Sequence, residues 1–363
     1  MKNTLGVSVK ATLFGESHGA AVGLVLDGLA PGLPVSEEEI ARQLTRRRPS
    51  GGTDTARREK DAYQIVSGVF EGRTTGTPLT LVIPNEDTHS RDYQRGPARP
   101  AHADYAAYCK YHGYEDYRGG GHFSGRVTAA LVAAGGILLP ALEKRGVTLG
   151  TRILRCAGVE DRPFGMLKDD LEQLKNAFFP VLDEEAGQRM QSEILRAAAE
   201  QDSVGGVIQT VIAGLPAGLG EPWFDSVEGD LALALFGVGG VKGIEFGDGF
   251  GLCGLRGSQA NDAFRLRDGN VVTETNRNGG VNGGITNGMP VVFQCAVKPT
   301  PSISRVQKTV DFLKMEETDL EIRGRHDPAI IRRICPVVDS VTALVLCDLL
   351  ARRYGTDWLA KEE

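Results

Sequence analysis

The sequence predicts an α+β fold in which antiparallel sheets and helices come from one unit present twice, related by pseudo-two-fold symmetry. Three observations predict it. The segments VLDGLAPGL at 25–33 and VIAGLPAGL at 211–219 keep glycine and leucine in the same places. GRTTGTPLTLVI at 72–83 and GITNGMPVVF at 284–293 share G-x-T-x-G-x-P ahead of a β-branched run. Each half then ends in a long apolar stretch, near 127–143 and near 336–352. Turn chemistry alone explains any one of these, since Gly and Pro recur at every turn; their common order favours a duplication.

The elements follow in order. Val22 to Leu26 reads as a strand. Ser36 precedes Glu37, Glu38 and Glu39, an N-cap followed by an acidic first turn. The uncharged run from Val127 to Leu142 is short of the ~20 residues of a spanning helix. It contains Gly135, Gly136 and Pro140 and reads as a buried helix. Asp183 to Gln201 is a polar helix expected at the periphery. A second helix-like stretch begins at Asp225, Ser226, Val227 and Glu228. Strands that alternate polar and apolar residues between tight turns favour antiparallel pairing over a doubly wound fold. One domain is expected, with halves at about 5–150 and 203–355 and a helical insertion over 161–202. A ligand cleft between such halves is the natural site.

Composition narrows the function. Of 363 residues 47 are glycine, without a collagen period, and the net charge is −6. An acidic chain of this kind is no general nucleic-acid or membrane-surface binder. The six cysteines form no C-x-x-C pair, so no zinc ribbon or thioredoxin motif is expected. The N-terminus lacks the apolar stretch of a signal peptide, and a cytoplasmic protein with reduced thiols is the expectation.

Four constellations carry candidate chemistry. Gly15 to Gly19 matches G-x-S-x-G, the nucleophile elbow of hydrolases. The match is rejected. Too little chain precedes Gly15 for an upstream strand and oxyanion loop, and a strand follows where a helix should start. His18 is then either a structural histidine or one facing a ligand. The stretch from Arg42 to Lys60 holds seven basic and two acidic residues around Pro49–Gly52. It is either a solvated face or an anion site, and it lacks the aromatics of a single-strand nucleic-acid groove. Arginines on a glycine-rich loop suit a small anionic ligand. Gly119, Gly120 and Gly121, followed by Ser124, Arg126 and an apolar helix, form either a plain turn or a phosphate-type site. His102 and His122 fit no usual zinc spacing, and no metal is expected. Lys298 to Ser302, with Arg325, His326 and Asp327, forms either an acid/base unit or a loop salt bridge. The run Gly237–Gly243 is not G-x-G-x-x-G, so no Rossmann site is expected.

Together these blocks resemble chorismate synthases. The motifs are FGESHG at 14–19, RRRP at 46–49, SGVFEG at 67–72, HADY at 102–105, YRGGG at 117–121, VKGIEFGDGF at 241–250, VKPTPSI at 297–303 and GRHDP at 324–328. The resemblance implies a β-α-β sandwich with helices between antiparallel sheets, assembled as a homotetramer. It implies a lyase that removes phosphate from 5-enolpyruvylshikimate 3-phosphate by anti-1,4-elimination. The product is chorismate, and reduced FMN is required without net redox change. On the matching positions it implies catalytic roles for His18, His102 and Asp327. Substrate contacts fall on Ser17, Arg47, Arg48, Arg57, Arg126 and Arg325. FMN contacts fall on His122, Phe123, Ser124, Gly239, Gly240, Gly283, Lys298, Pro299, Thr300, Pro301, Ser302 and Arg325. With no reductase segment recognised, reduced flavin is expected from an external, NADP-linked reductant. The chain departs from the family pattern at His122 and Phe123, where many members carry Arg and Ser, and near Gly52–Asp54, where many carry another arginine. Both departures remove positive charge, for which His122, Arg57 or Arg58 can compensate.

Overall fold

A computed structural model describes residues 2–54, 60–86, 93–322 and 327–360. The first half begins with strands β1 (Thr4–Leu5), β2 (Lys10–Gly15) and β3 (Ala21–Asp27), then helix α1 (Glu37–Arg47). Strand β4 (Gln64–Ser67), the small ribbon β5 (Val69–Phe70) and β6 (Arg73–Thr74), and β7 (Leu79–Pro84) follow. Helices α2 (Asp104–Tyr111) and α3 (Thr128–Lys144) complete it. The next strands are β8 (Thr148–Cys156) and β9 (Val159–Glu160), then helices α4 (Leu167–Asn176) and α5 (Glu184–Ala199). After them come β10 (Gly206–Ala213), α6 (Val227–Phe236), β11 (Val241–Phe246) and the short α7 (Gly257–Ala260). Two ribbons, β12 (Phe264–Arg267) with β13 (Asn270–Thr273) and β14 (Val281–Asn282) with β15 (Ile285–Thr286), precede β16 (Val291–Val297). A last ribbon, β17 (Gln307–Asp311) and β18 (Glu316–Leu320), leads to α8 (Ile331–Tyr354).

One five-stranded sheet runs β1-β2-β3-β7-β4 and the other β9-β8-β10-β16-β11, all antiparallel. Strand for strand, β2-β3-β7-β4 repeats as β8-β10-β16-β11. Helix α3 lies on β3 and β7, α8 lies on β8 and β10, and the two helices pack on each other. The helices therefore fill the space between the sheets. The fold is α+β with the layers that the sequence implied.

The duplicated motifs explain the repeat at atomic level. The Thr74 hydroxyl donates to Ala30 O at 2.6 Å and accepts Leu33 N–H at 2.9 Å. The Thr286 hydroxyl donates to Pro216 O at 2.7 Å and accepts Leu219 N–H at 2.9 Å. These threonines are the shared T of G-x-T-x-G-x-P. Gly28 and Gly214 turn the chain with φ of 84° and 83°. A side chain on either would overlap a carbonyl oxygen, of Ser8 or of Gly146.

Ser36 and Ser226 cap α1 and α6 by accepting the N–H of Glu39 and Gly229 at 3.2 and 2.9 Å, which satisfies donors that a helix start leaves open. Helix α3 (with its preceding turn) and α8 are long and apolar enough to cross a bilayer. Yet 72% and 100% of their most apolar windows are buried inside the protein; both are core helices. Asp348 on α8 accepts the N–H groups of Val7, Ser8 and Val9 at 3.0, 2.6 and 2.9 Å, tying the first hairpin to the core. Helix α5 is less peripheral than its polar composition suggests. Ala186, Met190, Ile194 and Ala197 form a buried stripe, and Met190 and Ile194 join Phe179 and Val181 in the core.

Candidate active site

The loop between β2 and β3 carries Ser17 and His18. Ser17 is fully buried, and its N–H donates to Gly121 O at 3.1 Å. Its hydroxyl lies 3.2 Å from Arg118 O, 3.1 Å from Gly119 O and 3.1 Å from His18 Nδ1. Carbonyls only accept, so the single hydroxyl proton goes to them. His18 Nδ1 must then carry the ring proton that Ser17 Oγ accepts, and the ring exchanges its other proton at Nε2. Ser17 thus orients His18. A buried hydroxyl committed to backbone is no nucleophile, and the hydrolase reading ends here. Gly119 forms the floor beneath the ring: with φ 60°, a Cβ there would lie 2.7 Å from Ser17 Oγ and closer still to His18 Cε1. His122 Nδ1 donates to Gly15 O at 2.7 Å.

Beside this loop the C-terminus of α1 presents arginines. Ile40, Gln43, Leu44 and Arg47 are its buried face. Arg47 donates to Thr128 Oγ1 at 3.0 Å and to Gly125 O at 2.9 Å. Arg126 donates to Asn85 Oδ1 at 3.0 Å and to Pro84 O at 3.1 Å. Both also reach the buried Asp61, Arg126 in a short ion pair and Arg47 at 3.4 Å. Asn85 in turn donates to Glu16 O and Gly19 O, both at 2.9 Å, so Arg126 and the His18 loop share one anchor. Arg332 and Arg333 of α8 donate to the carbonyls of Arg46, Arg48 and Arg47 at 2.6–2.9 Å. Two cations at a helix C-terminus suit its dipole. Arg333 also pairs with Asp327 at 2.5 Å, which fixes Asp327 to the same helix end.

His102 belongs to a second cluster. Its Nε2 is 2.6 Å from Ser302 Oγ. Lys298 Nζ donates to Ala101 O at 2.7 Å, and Lys298 N–H donates to Gly240 O at 2.9 Å. Burial, with Lys242 adding repulsion, holds the Lys298 amine below its ordinary pKa. Asp104 receives Arg99 Nε at 2.8 Å and Nη2 at 2.6 Å. Burial pushes Asp104 up, but the Arg99 hydrogen bonds and charge, helped by His102, outweigh it and hold the carboxyl below its ordinary value. The two clusters are joined. Arg99 sits over the Tyr93 ring at 5.6 Å, and Tyr93 meets the His18 ring edge-on at 5.2 Å.

A family model described as chorismate synthase matches residues 9–351. The chain belongs to the chorismate synthase family. A chorismate synthase of Thermococcus kodakarensis is 49% identical, with 98% of this chain and 99% of that protein covered. One of Pyrococcus abyssi is 48% identical, covering 94% and 96%. A crystal structure of a chorismate synthase superposes with a TM-score of 0.76 at 28% identity, covering 96% of this chain and 94% of the other. The protein is accordingly a chorismate-forming lyase of aromatic biosynthesis, acting on a phosphate-bearing substrate.

For a chorismate synthase family member, the sequence expectations distribute unevenly. Ser17, His18, His122, Ser124, Arg47, Arg48 and Arg126 come together around the triple glycine, with Ser124 accepting Arg126 N–H at 3.3 Å. His102, Lys298, Ser302 and Gly240 form the second cluster. Pro299, Thr300 and Pro301 lie between its members, and Ser203 Oγ donates to Thr300 O at 2.6 Å. Gly239 is adjacent and open to space. Phe123 is 52% exposed, edge-on to Tyr111. Gly283 lies in the β14–β15 turn, whose neighbour Gly284 accepts Val227 N–H of α6 at 2.9 Å. That turn belongs to the duplicated scaffold around α6. Arg57 and Arg325, with Arg58, Gly324 and His326, lie outside the described residues. The basic run is neither a solvated face nor an open strip over its described helix end: Arg42 pairs with Glu39, Arg46 with Asp339, and Arg47 and Arg48 with Asp61. A cavity of about 470 Å³ between α1, α3 and α4 lies against the Arg42–Arg46 side of α1 and touches no expected site residue. Asp61, Asn85, Tyr93 and Arg333 were not foreseen. Asp61 stands one residue past the basic run, and an acid directly following seven bases was the available signal.

Proposed function

We propose that the enzyme converts 5-enolpyruvylshikimate 3-phosphate to chorismate by anti-1,4-elimination, with reduced FMN as cofactor and no net redox change. One observation carries the reading: His18 and His102 are tied into one frame through Tyr93, Arg99 and Asp104, beside an arginine cluster. Imidazoles that hold protons and guanidinium groups that fork onto oxyanions suit a substrate bearing phosphate and carboxylates. His18 acts as general acid: Ser17 fixes the Nδ1 proton, so the imidazolium releases its proton to the departing phosphate from Nε2. Arg48, with Arg57 and Arg325, binds the substrate oxyanions, while Arg47 and Arg126 hold the wall behind it and keep its potential positive. Asp327, held in place by Arg333, accepts a proton at Oδ1 or Oδ2.

The residues around 298–302 fit a phosphate-bearing cofactor. Thr300 Oγ1 is buried with no hydrogen-bond partner among the described residues, Lys298 is a cation at hand, and Gly239 leaves room for close approach. When bound, reduced FMN supplies an electron-rich ring that assists phosphate loss and is unchanged overall. His102, oriented by Ser302, stabilises negative charge on that ring, and His122, Phe123, Ser124 and Gly240 complete the cofactor's surroundings.

Assembly as a homotetramer is supported by exposed large apolar side chains: Trp223 at 85%, Phe224 at 93% and Phe250 at 83%, more than an isolated subunit usually leaves in water. Six free cysteines suit a cytoplasmic, reducing setting, where an external NADP-linked reductant supplies the flavin. The test is anaerobic incubation of 5-enolpyruvylshikimate 3-phosphate with dithionite-reduced FMN and the enzyme, followed by phosphate release. Phosphate should appear catalytically. None above a protein-free control would refute the proposal.

A further inference from the structure

We propose that Asp61 is a built-in counter-anion that shares Arg48 with the substrate's phosphate and so limits how firmly that phosphate is held. The inference rests on the reading above, that the Arg47–Arg48–Arg126 cluster is the anion side of the active site. The Asp61 side chain is 1% exposed. One oxygen takes Arg126 Nη1; the other lies 3.4 Å from Arg47 Nη1 and 3.5 Å from Arg48 Nε. Asp61 reaches this position with φ of 50°, a region aspartate enters more readily than most residues.

The three arginines are not equivalent. The Arg47 and Arg126 side chains are 6% and 3% exposed. They are also bound to Thr128, Gly125 O, Asn85 and Pro84 O, so turning toward a ligand would break those bonds. The Arg48 side chain is 31% exposed. Its Nε is buried yet has no hydrogen-bond partner among the described residues, because its approach to Asp61 lacks hydrogen-bond geometry. An oxyanion arriving from solvent therefore meets the exposed part of the Arg48 guanidinium side chain, the most accessible of the three, while the fixed Asp61 charge behind it opposes the anion. Without Asp61 the three cations would bind phosphate more tightly and release it more slowly. With it, substrate is held and inorganic phosphate leaves.

The test measures inorganic phosphate binding to the full chain by calorimetry, for the wild type, Asp61→Asn, Asp61→Glu and Arg48→Ala, beside anaerobic turnover. Asp61→Asn should bind phosphate about tenfold more tightly, with KM and kcat both lowered as release slows. Asp61→Glu, which keeps the charge, should bind phosphate nearly as the wild type does. Arg48→Ala should bind it about tenfold more weakly with an unchanged melting temperature. A folded Asp61→Asn that binds phosphate no more tightly than the wild type overturns the proposal, and so does an Arg48→Ala variant of undiminished affinity. If Asp61→Asn does not fold, Asp61→Ser, which also removes the charge, takes its place with the same two outcomes. The lyase reading fails separately, if the wild type releases no phosphate from substrate.

Discussion

Gly119→Ala tests how His18 is held. Gly119 and Gly120 both sit at positive φ, 60° and 82°, so alanine at either costs about 1–2 kcal/mol of backbone strain. Their surroundings differ. A Cβ at Gly120 meets nothing closer than Arg99 Nη2 at 3.8 Å, an ordinary contact. A Cβ at Gly119 falls inside the His18 ring's contact distance and 2.7 Å from Ser17 Oγ, where 3.4 Å is already the lower end of ordinary contact. The imidazole must move by about an ångström, and a displacement of that size costs on the order of a hundredfold in rate. Gly119→Ala should melt below Gly120→Ala, because crowding adds about 1–3 kcal/mol of destabilisation, with both variants still folded at the assay temperature by circular dichroism. Phosphate release under anaerobic conditions should fall about a hundredfold in Gly119→Ala and less than tenfold in Gly120→Ala. Equal rates in the two variants would refute the idea that Gly119 positions the histidine.

Three further outcomes are expected. Thr74→Val and Thr286→Val each strip a buried N–H, of Leu33 or Leu219, of its acceptor. Each should cost about 1–3 kcal/mol in denaturant titrations, and the double variant should lose the sum, because the two networks share no partner. His102→Ala should slow turnover more than tenfold while leaving the circular dichroism spectrum intact; an unchanged rate would remove His102 from the mechanism. Asp104 has a depressed carboxyl. Its contribution to stability is therefore fully present above its ordinary value of about 3.8 and is lost as pH falls through the lower folded value. The melting-temperature gap between the wild type and Asp104→Asn should be widest near pH 6 and shrink below about pH 4. A gap that does not narrow in acid would contradict the assignment.

Legibility in the sequence followed the range of the interaction. Caps, turns and apolar helices are local, so Ser36, Gly28, Gly214 and both core helices could be read directly. The duplication was legible because Thr74 and Thr286 perform the same two-bond task and had to be kept with their glycines. The buried stripe of helix α5 was hidden because four apolar residues are diluted by charged neighbours. The site was legible as residue types but not as partnerships. His102 meets Ser302 across 200 positions, and Arg333 reaches Arg47 across 286; nothing in a local pattern announces such pairs. The buried state of Arg47 and Arg126 was hidden for the same reason, since the acid they share reaches them only in the folded chain.

In the proposed function, His18 and His102 serve one reaction from two joined clusters. A crystal structure of the complex with substrate and FMN tests it most directly. His18 Nε2 should lie within about 3.2 Å of an oxygen of the departing phosphate, with His102 against the flavin ring. Either imidazole more than about 6 Å from its partner, beyond a single bridging water, would contradict it.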